Sequence, residues 1–269
     1  MKKTLAFVFA LVLAFSVCVP AAFAADDSDL AYVQEKGTLV VGITDFAPMD
    51  YLAGNGEWIG FDADMARAFA SFIGVDVEFI EIDWDNKILE LNGKSIDCVW
   101  NGMTLTNEVL GSMGCTVPYS NNAQVVVVNA DVADQYQDVE SIAALSFAVE
   151  SGSAGEAVAD ELGLDYTSVL TQADALLEVA AGTSDAAIID LLMAGAMVGE
   201  GTSYPNLVHT AELTTEEYGV GFRTGSDLVD VYNAWYAAAY AVGTVEAIAT
   251  EYGVQDSVIA VQAVVEKAA

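Results

Sequence analysis

Residues 97–109 read DCVWNGMTLTNEV. The apolar run Cys98-Val99-Trp100 has the character of a buried strand, and it breaks at once into a polar elbow of Asn101, Gly102, Met103 and Thr104. Taken with what precedes it, ILELNGKSIDCVW at 88–100 gives a short helix, a glycine turn, an aspartate and a strand. The same order returns in LLEVAAGTSDAAII at 176–189. This is an echo rather than a repeat array, and it predicts two similar α/β lobes.

The wiring on either side agrees. Residues 39–43, 75–79, 145–149, 166–170 and 185–189 are apolar or alternating runs that read as strands. Helices are expected from Phe61, with Met65, Phe69 and Phe72 at helical spacing and Gly74 as the stop, and over 156–162 and 173–181. Strands alternating with helices predict a mostly parallel sheet in an α/β protein. Residues 119–128 read as a crossing strand, and the Ala-rich tail from Ser226 reads as helical, with Trp235 and Tyr240 packing into a core.

At the N-terminus, Lys2 and Lys3 precede an apolar stretch and then Ala22-Phe23-Ala24. That is the pattern of a secretory signal peptide over 1–24, and no later run is long enough to span a bilayer. Cys18 is read as part of the apolar stretch rather than as a lipid attachment site, because bulky Val17 precedes it. Cys98 and Cys115 remain; they read equally as a disulfide, worth about 3 kcal/mol, or as two separate thiols. With no CxxC and a single histidine, His209, a metal site lacks ligands, and no cofactor is expected.

The chain carries 40 acidic residues against 8 Lys plus Arg, a formal charge of −32. Such a surface repels phosphates, so nucleic acid and anionic lipid are excluded as partners. Beyond the leader, the cations are Lys36, Arg67, Lys87, Lys94, Arg223 and Lys267. Any pocket that grips an anion has few choices.

In α/β sheets, ligands bind beyond the carboxyl ends of strands. The elbow, Asp45-Phe46-Ala47-Pro48, Asp83-Trp84-Asp85, Gly152-Ser153-Ala154 and Asp190 all follow such ends. Five strand ends on two lobes predict a hinged binder. The chain also resembles a family at this level. GTLVVGITDFAPMDY, GEWIGFDADMARAF, DWDNKILELNGKSIDCVWNGMTLT, VPYSNNAQVVVV, VESGSAGEAV and YGVGFRTGSDL follow, in order, the pattern of family 3 extracytoplasmic solute-binding proteins, the polar-amino-acid receptors of ABC importers.

The resemblance implies the type II periplasmic binding protein fold, two α/β lobes joined by two crossover strands. It divides the chain into lobe 1 at 25–120 and 218–269, hinges at 121–124 and 209–217, and lobe 2 at 125–208. It implies Phe46 and Trp84 as an aromatic clamp, and Asn101, Gly102 and Thr104 as the ligand-bonding elbow. Ser153 and Ala154 become the helix N-terminus that meets a carboxylate, and Asp190 the acid that holds an ammonium. The expected partners are a small polar solute, an amino acid or amine, and a membrane permease; a monomer is expected, exported to the cell exterior or periplasm.

One position departs from the family. Where an arginine usually forks onto the ligand carboxylate, this chain has Val109. Removing one partner of a buried charge pair costs about 2–5 kcal/mol. Either another cation replaces it or the ligand lacks a bare carboxylate. Lys87 is read as solvating the first turn of a helix, Arg67 as lying on an outer helix face, and Arg223 as a surface residue. The pocket is therefore expected to favour positive or uncharged solutes, with Asp190 and Asp45 supplying charge and Phe46, Trp84 and Trp100 supplying faces. For Trp100 core packing is the preferred reading; for Asp45 and Asp50 it is solvation of their loops. The rival functions are a lyase-type enzyme on the same fold and a sensing module for a signalling receptor. No nucleophile–base pair supports the first, His209 being read as structural, and a chain ending at Ala269 without a signalling domain disfavours the second.

Overall fold

The aspartate shared by the two echoed segments does the same work in both halves of the protein. In the computed structural model, which describes residues 28–261, Asp97 Oδ2 accepts the amide hydrogen of Val40 at 2.8 Å. Asp185 Oδ2 accepts that of Ser146 at 3.0 Å. Each acid pins the start of the neighbouring strand, and each introduces a buried strand of its own, Cys98–Val99 or Ala186–Asp190.

Two five-stranded sheets result. In the first, Thr38–Ile43 lies between Asp76–Glu81 and Cys98–Val99, both parallel to it. Gly221–Phe222 and Gly114–Cys115 extend the sheet antiparallel. In the second, Ser146–Glu150 lies parallel between Asp165–Val169 and Ala186–Asp190. Gln124–Asn129 and Leu207–Glu212 continue it antiparallel. The sheets are thus only half parallel. The reversed strands Gln124–Asn129 and Gly221–Phe222 each follow a segment crossing from the other sheet, and so enter against the βαβ direction.

Those crossings, Ser120–Asn122 and Glu216–Tyr218, pair with each other as a short antiparallel ladder. Residues 124–128, expected to cross, instead form an interior strand, buried at every position from Gln124 to Val128. An apolar run buried on both faces belongs inside a sheet. The strand Leu207–Glu212 shifts register between His209 and Glu212, before the second crossing.

The helix Phe61–Ile73 buries Phe61, Met65, Phe69 and Ile73 against the first sheet. The tail helices Leu228–Ala241 and Thr244–Tyr252 pack on it. Trp100, 1% exposed, sits in the resulting aromatic core, 5.1 Å from the Tyr232 ring and 6.3 Å from Phe69. It supplies no face to a cleft. Burial of such rings contributes about 2–3 kcal/mol each. Arg223 is also interior: it donates to Asp29 at 3.0 Å and to the Ile96 carbonyl at 3.0 Å, clasping the helix Asp29–Lys36 to the sheet. The surface position expected for it is therefore wrong.

Cys98 and Cys115 are free thiols. They lie on strands separated by Gly221–Phe222. Two strand spacings place their backbones roughly 9–10 Å apart, beyond the limit of about 7 Å for a disulfide. Among the described residues no helix is long and apolar enough to cross a membrane. The leader, Cys18 and Lys267 lie outside the described residues.

Candidate functional site

The carboxyl ends of strands from both sheets open onto one cleft of about 810 Å³. Phe46, Trp84, Asn101, Gly102, Thr104, Ser153, Ala154 and Asp190 all line it. The structure brings together every site residue expected from the sequence, but several have their polar groups already engaged.

Asn101 accepts the Thr44 amide hydrogen at 3.0 Å and donates to Thr44 Oγ1 at 2.8 Å, so its side chain ties the elbow to the strand Thr38–Ile43. The Gly102 N–H donates to buried Asp62 at 2.6 Å. Gly102 adopts φ +54°, and a Cβ there would stand 2.3 Å from the Phe46 ring. Glycine is required so that the ring can close over the elbow. Thr104 Oγ1 donates to Glu216 at 2.8 Å. Phe46 packs edge-on to Tyr218 at 6.4 Å.

Ser153 caps the helix Ala154–Leu162 by accepting the Glu156 amide hydrogen at 3.1 Å. Ala154, in the first turn of that helix, lines the cleft, and the free N–H groups of a helix's first turn suit a carboxylate.

Asp190 ends the strand Ala186–Asp190 and is 4% exposed. Its Oδ1 accepts hydrogens from Asn122, from Gln124 at 3.1 Å and from the Tyr218 hydroxyl at 2.5 Å, while Oδ2 accepts from Gln172. Asn122 and Gln124 also donate to Glu216, at 2.6 and 2.8 Å. Both crossings therefore converge on this carboxyl. Burial, with Glu216 beside it, pushes the Asp190 pKa up to about 8.

Two of the cleft residues that sequence reasoning missed bear most on its charge. Glu150 ends the strand Ser146–Glu150 and is 3% exposed. Burial first, and then Asp190, raise its pKa to about 8. A signal was available: FAVE at 147–150 and AIID at 187–190 are both apolar strands ending in an acid. The other is Lys87, which does not solvate a helix end. It is 6% exposed. The turn Trp84–Asn86 lays its stem over the Trp84 indole, with Nζ 4.9 Å from the ring, and Nζ donates to the Trp84 carbonyl at 3.2 Å. It also reaches the Gly152 carbonyl of the other lobe at 2.8 Å. Burial lowers the Lys87 pKa, opposed by Glu108, Glu150, Asp85 and Glu156.

Val109 is 3% exposed and packs with Trp84, Val99, Met103 and Met113, so apolar side chains fill the place of the family's arginine. Lys87 thus sets one cation in a cleft also lined by Glu108, Glu150, Glu161, Asp190, Glu216 and Glu217. The lining is acidic on balance even with that lysine counted. Asp45, exposed, and Asp50, fully buried, are not among the cleft residues.

The chain belongs to the bacterial extracellular solute-binding proteins, family 3, which it matches over residues 39–255. It is 26% identical over 231 residues to the arginine-binding extracellular protein ArtP of Bacillus subtilis, covering 83% of this chain and 89% of that one. It is 28% identical over 262 residues to the histidine-binding periplasmic protein of Salmonella typhimurium, covering 93% and 96%. Among solved structures, the ancestral amino acid-binding protein AncCDT-1, a precursor of cyclohexadienyl dehydratase, superposes with a TM-score of 0.77 at 30% identity, covering 84% of this chain and 99% of that one. The type II periplasmic binding fold and membership of a solute-binding family follow.

Proposed function

We propose that this protein is the exported, substrate-binding component of an ABC importer, and that its cargo is a cationic amino acid or amine delivered to a membrane permease. The lobes divide at the paired crossings 120–122 and 216–218, and closure about them traps the solute between Phe46 and Trp84. The observation that carries the reading is the acidic array at the cleft floor, where Asp190 and Glu216 share the donors Asn122 and Gln124 and Glu150 stands close by. An ammonium placed there gains charge-assisted bonds in a site closed to water. The α-carboxylate of an amino acid would meet the first turn of Ala154–Leu162 and the ammonium of Lys87, whose bonds to two carbonyls leave a third hydrogen. That lysine offers the replacement charge that Val109 lacks. The relatives named for arginine and histidine support the same class.

The rival is a lyase, in which Glu150 or Asp190, its pKa raised by burial, would act as general acid. Titration calorimetry with L-arginine separates the two. Binding without consumption of the ligand, weakened at least about tenfold by Trp84→Ala and by Asp190→Ala, is expected. Unchanged affinity in either variant, or turnover, would remove the proposal.

A further inference from the structure

Glu150 has a feature that the ammonium site at Asp190 does not account for. Its Oε1 is buried and accepts no hydrogen bond. A buried carboxyl oxygen without a donor has lost its hydration and gained nothing in return. This one stands at the cleft wall, on the strand next to that of Asp190. Asp190 takes four donors, from the crossings, the strand Gln124–Asn129 and the helix Gln172–Ala181. Beside it, Glu150 Oε1 has none. Lys87 does not cancel it by contact: the ion pairs among the described residues are those of Lys36, Arg67 and Arg223. The groups facing Glu150 are Asp190 on the adjacent strand, Asp174 and Gln172 on the helix Gln172–Ala181, the Gln172 side chain also hydrogen-bonding the carboxyl, and Lys87 from the opposite lobe; Oε1 is the oxygen left free. Asp190 in turn faces Glu216 and Tyr218.

We propose that Glu150 is a specificity-determining residue: its free carboxyl oxygen takes a second cationic group of the ligand, beyond the ammonium held by Asp190, so that the preferred cargo carries two positive centres. The inference rests on the receptor reading above and names its substrate class. A guanidinium suits the place, since its forked N–H groups can bond a carboxylate while its plane lies on an aromatic face, and Trp84 lines the same cleft. A consequence follows from the cluster. Burial raises both carboxyls in the ligand-free cleft toward the protonated form. A second cation stabilises their charged forms and sends those protons to solvent.

The test is titration calorimetry at pH 7 with L-arginine and L-citrulline, which match in shape and differ in the side-chain charge, on the unaltered protein and on Glu150→Gln. Buffers of differing ionisation enthalpy report the protons exchanged. The expected result is a preference for arginine over citrulline of about tenfold or more, falling to within about threefold in Glu150→Gln, with net proton release on arginine binding that shrinks in the variant. Equal affinity of the unaltered protein for the two ligands, or an equal loss of both in Glu150→Gln, overturns the role of Glu150 and leaves the receptor reading standing. Failure of the unaltered protein to bind either ligand, or any cationic or neutral amino acid, overturns both. Should Glu150→Gln not fold, the arginine-to-citrulline ratio and the proton release of the unaltered protein decide alone.

Discussion

The Asp62 carboxylate accepts the amide hydrogen of Gly102 at 2.6 Å, and the Tyr119 hydroxyl donates to the same oxygen at 2.7 Å. The elbow that faces the cleft is therefore held from behind by a fully buried acid. Burial raises Asp62 to about 7, and raises Glu150 and Asp190 to about 8. Their ordinary values are 3.8 for aspartate and 4.5 for glutamate. For groups raised on folding, the stabilising contribution is complete below the ordinary pKa and is lost as pH climbs through the folded one. The ligand-free protein should thus melt several degrees lower at pH 9 than at pH 5. Self-repulsion at a charge of −32 acts in the same direction, but it is screened in 1 M salt, whereas buried acids are not. Calorimetric melting in that salt should keep the fall; a flat or rising curve would mean that the three acids are not buried as described.

Substituting Gly102 tests the elbow sterically. A Cβ would sit 2.3 Å from the Phe46 ring on a backbone with φ +54°. Gly102→Ala should lower stability by about 1–3 kcal/mol and displace the ring, so that affinity falls as well. Chemical denaturation and calorimetry report the two effects. Wild-type values for both would show that the ring does not lie against the elbow.

Closure has its own pressure point. Gly152, at φ +70°, comes so near the facing lobe that a Cβ would lie 2.7 Å from the Cα of Asp85, and its carbonyl accepts from Lys87. Gly152→Ala should hold the lobes apart, seen as a larger radius of gyration in solution scattering with saturating ligand. Lys87→Met keeps the stem over Trp84 but removes the bridge, and should shift the same measurement less. Scattering curves identical to the parent for both variants would argue against contact between the lobes at this point.

The two thiols offer a covalent check. The strand Gly221–Phe222 separates Cys98 from Cys115, and burial pushes both pKa values up, that of Cys115 to about 11. Oxidised, non-reduced protein should retain two alkylatable thiols among the described residues once unfolded, react slowly when native, and melt at the same temperature with or without reductant. A reductant-dependent drop would reveal a cross-link.

Much of the architecture was legible because it rests on local signals. Gly74, the Phe61-Met65-Phe69 spacing, and the echoed aspartates Asp97 and Asp185 fix elements through neighbours in sequence or on the next strand. The cleft residues were legible as positions, since all follow strand ends. What escaped depends on contacts between residues distant in sequence. Whether Lys87 faces water or Gly152 is decided by the other lobe. Arg223 is interior because Asp29, 194 residues away, meets it. Glu150 was marked only by the likeness of FAVE to AIID, and its burial is decided by the strand Ala186–Asp190 and Lys87. The run 124–128 went astray because an apolar run reads alike whether it crosses between lobes or lies inside a sheet; Trp100 lies in the core, as its preferred reading had it.

The charge of the cargo is tested most directly by thermal shift, since a ligand that binds only the folded state raises the melting temperature by mass action. The panel would set L-arginine, L-lysine and 1,4-diaminobutane against L-glutamine and L-glutamate at one concentration and pH 7. Stabilisation by the cationic members, least or none by glutamate, is the expected pattern. Strongest stabilisation by glutamate would contradict an acidic, cation-selecting cleft.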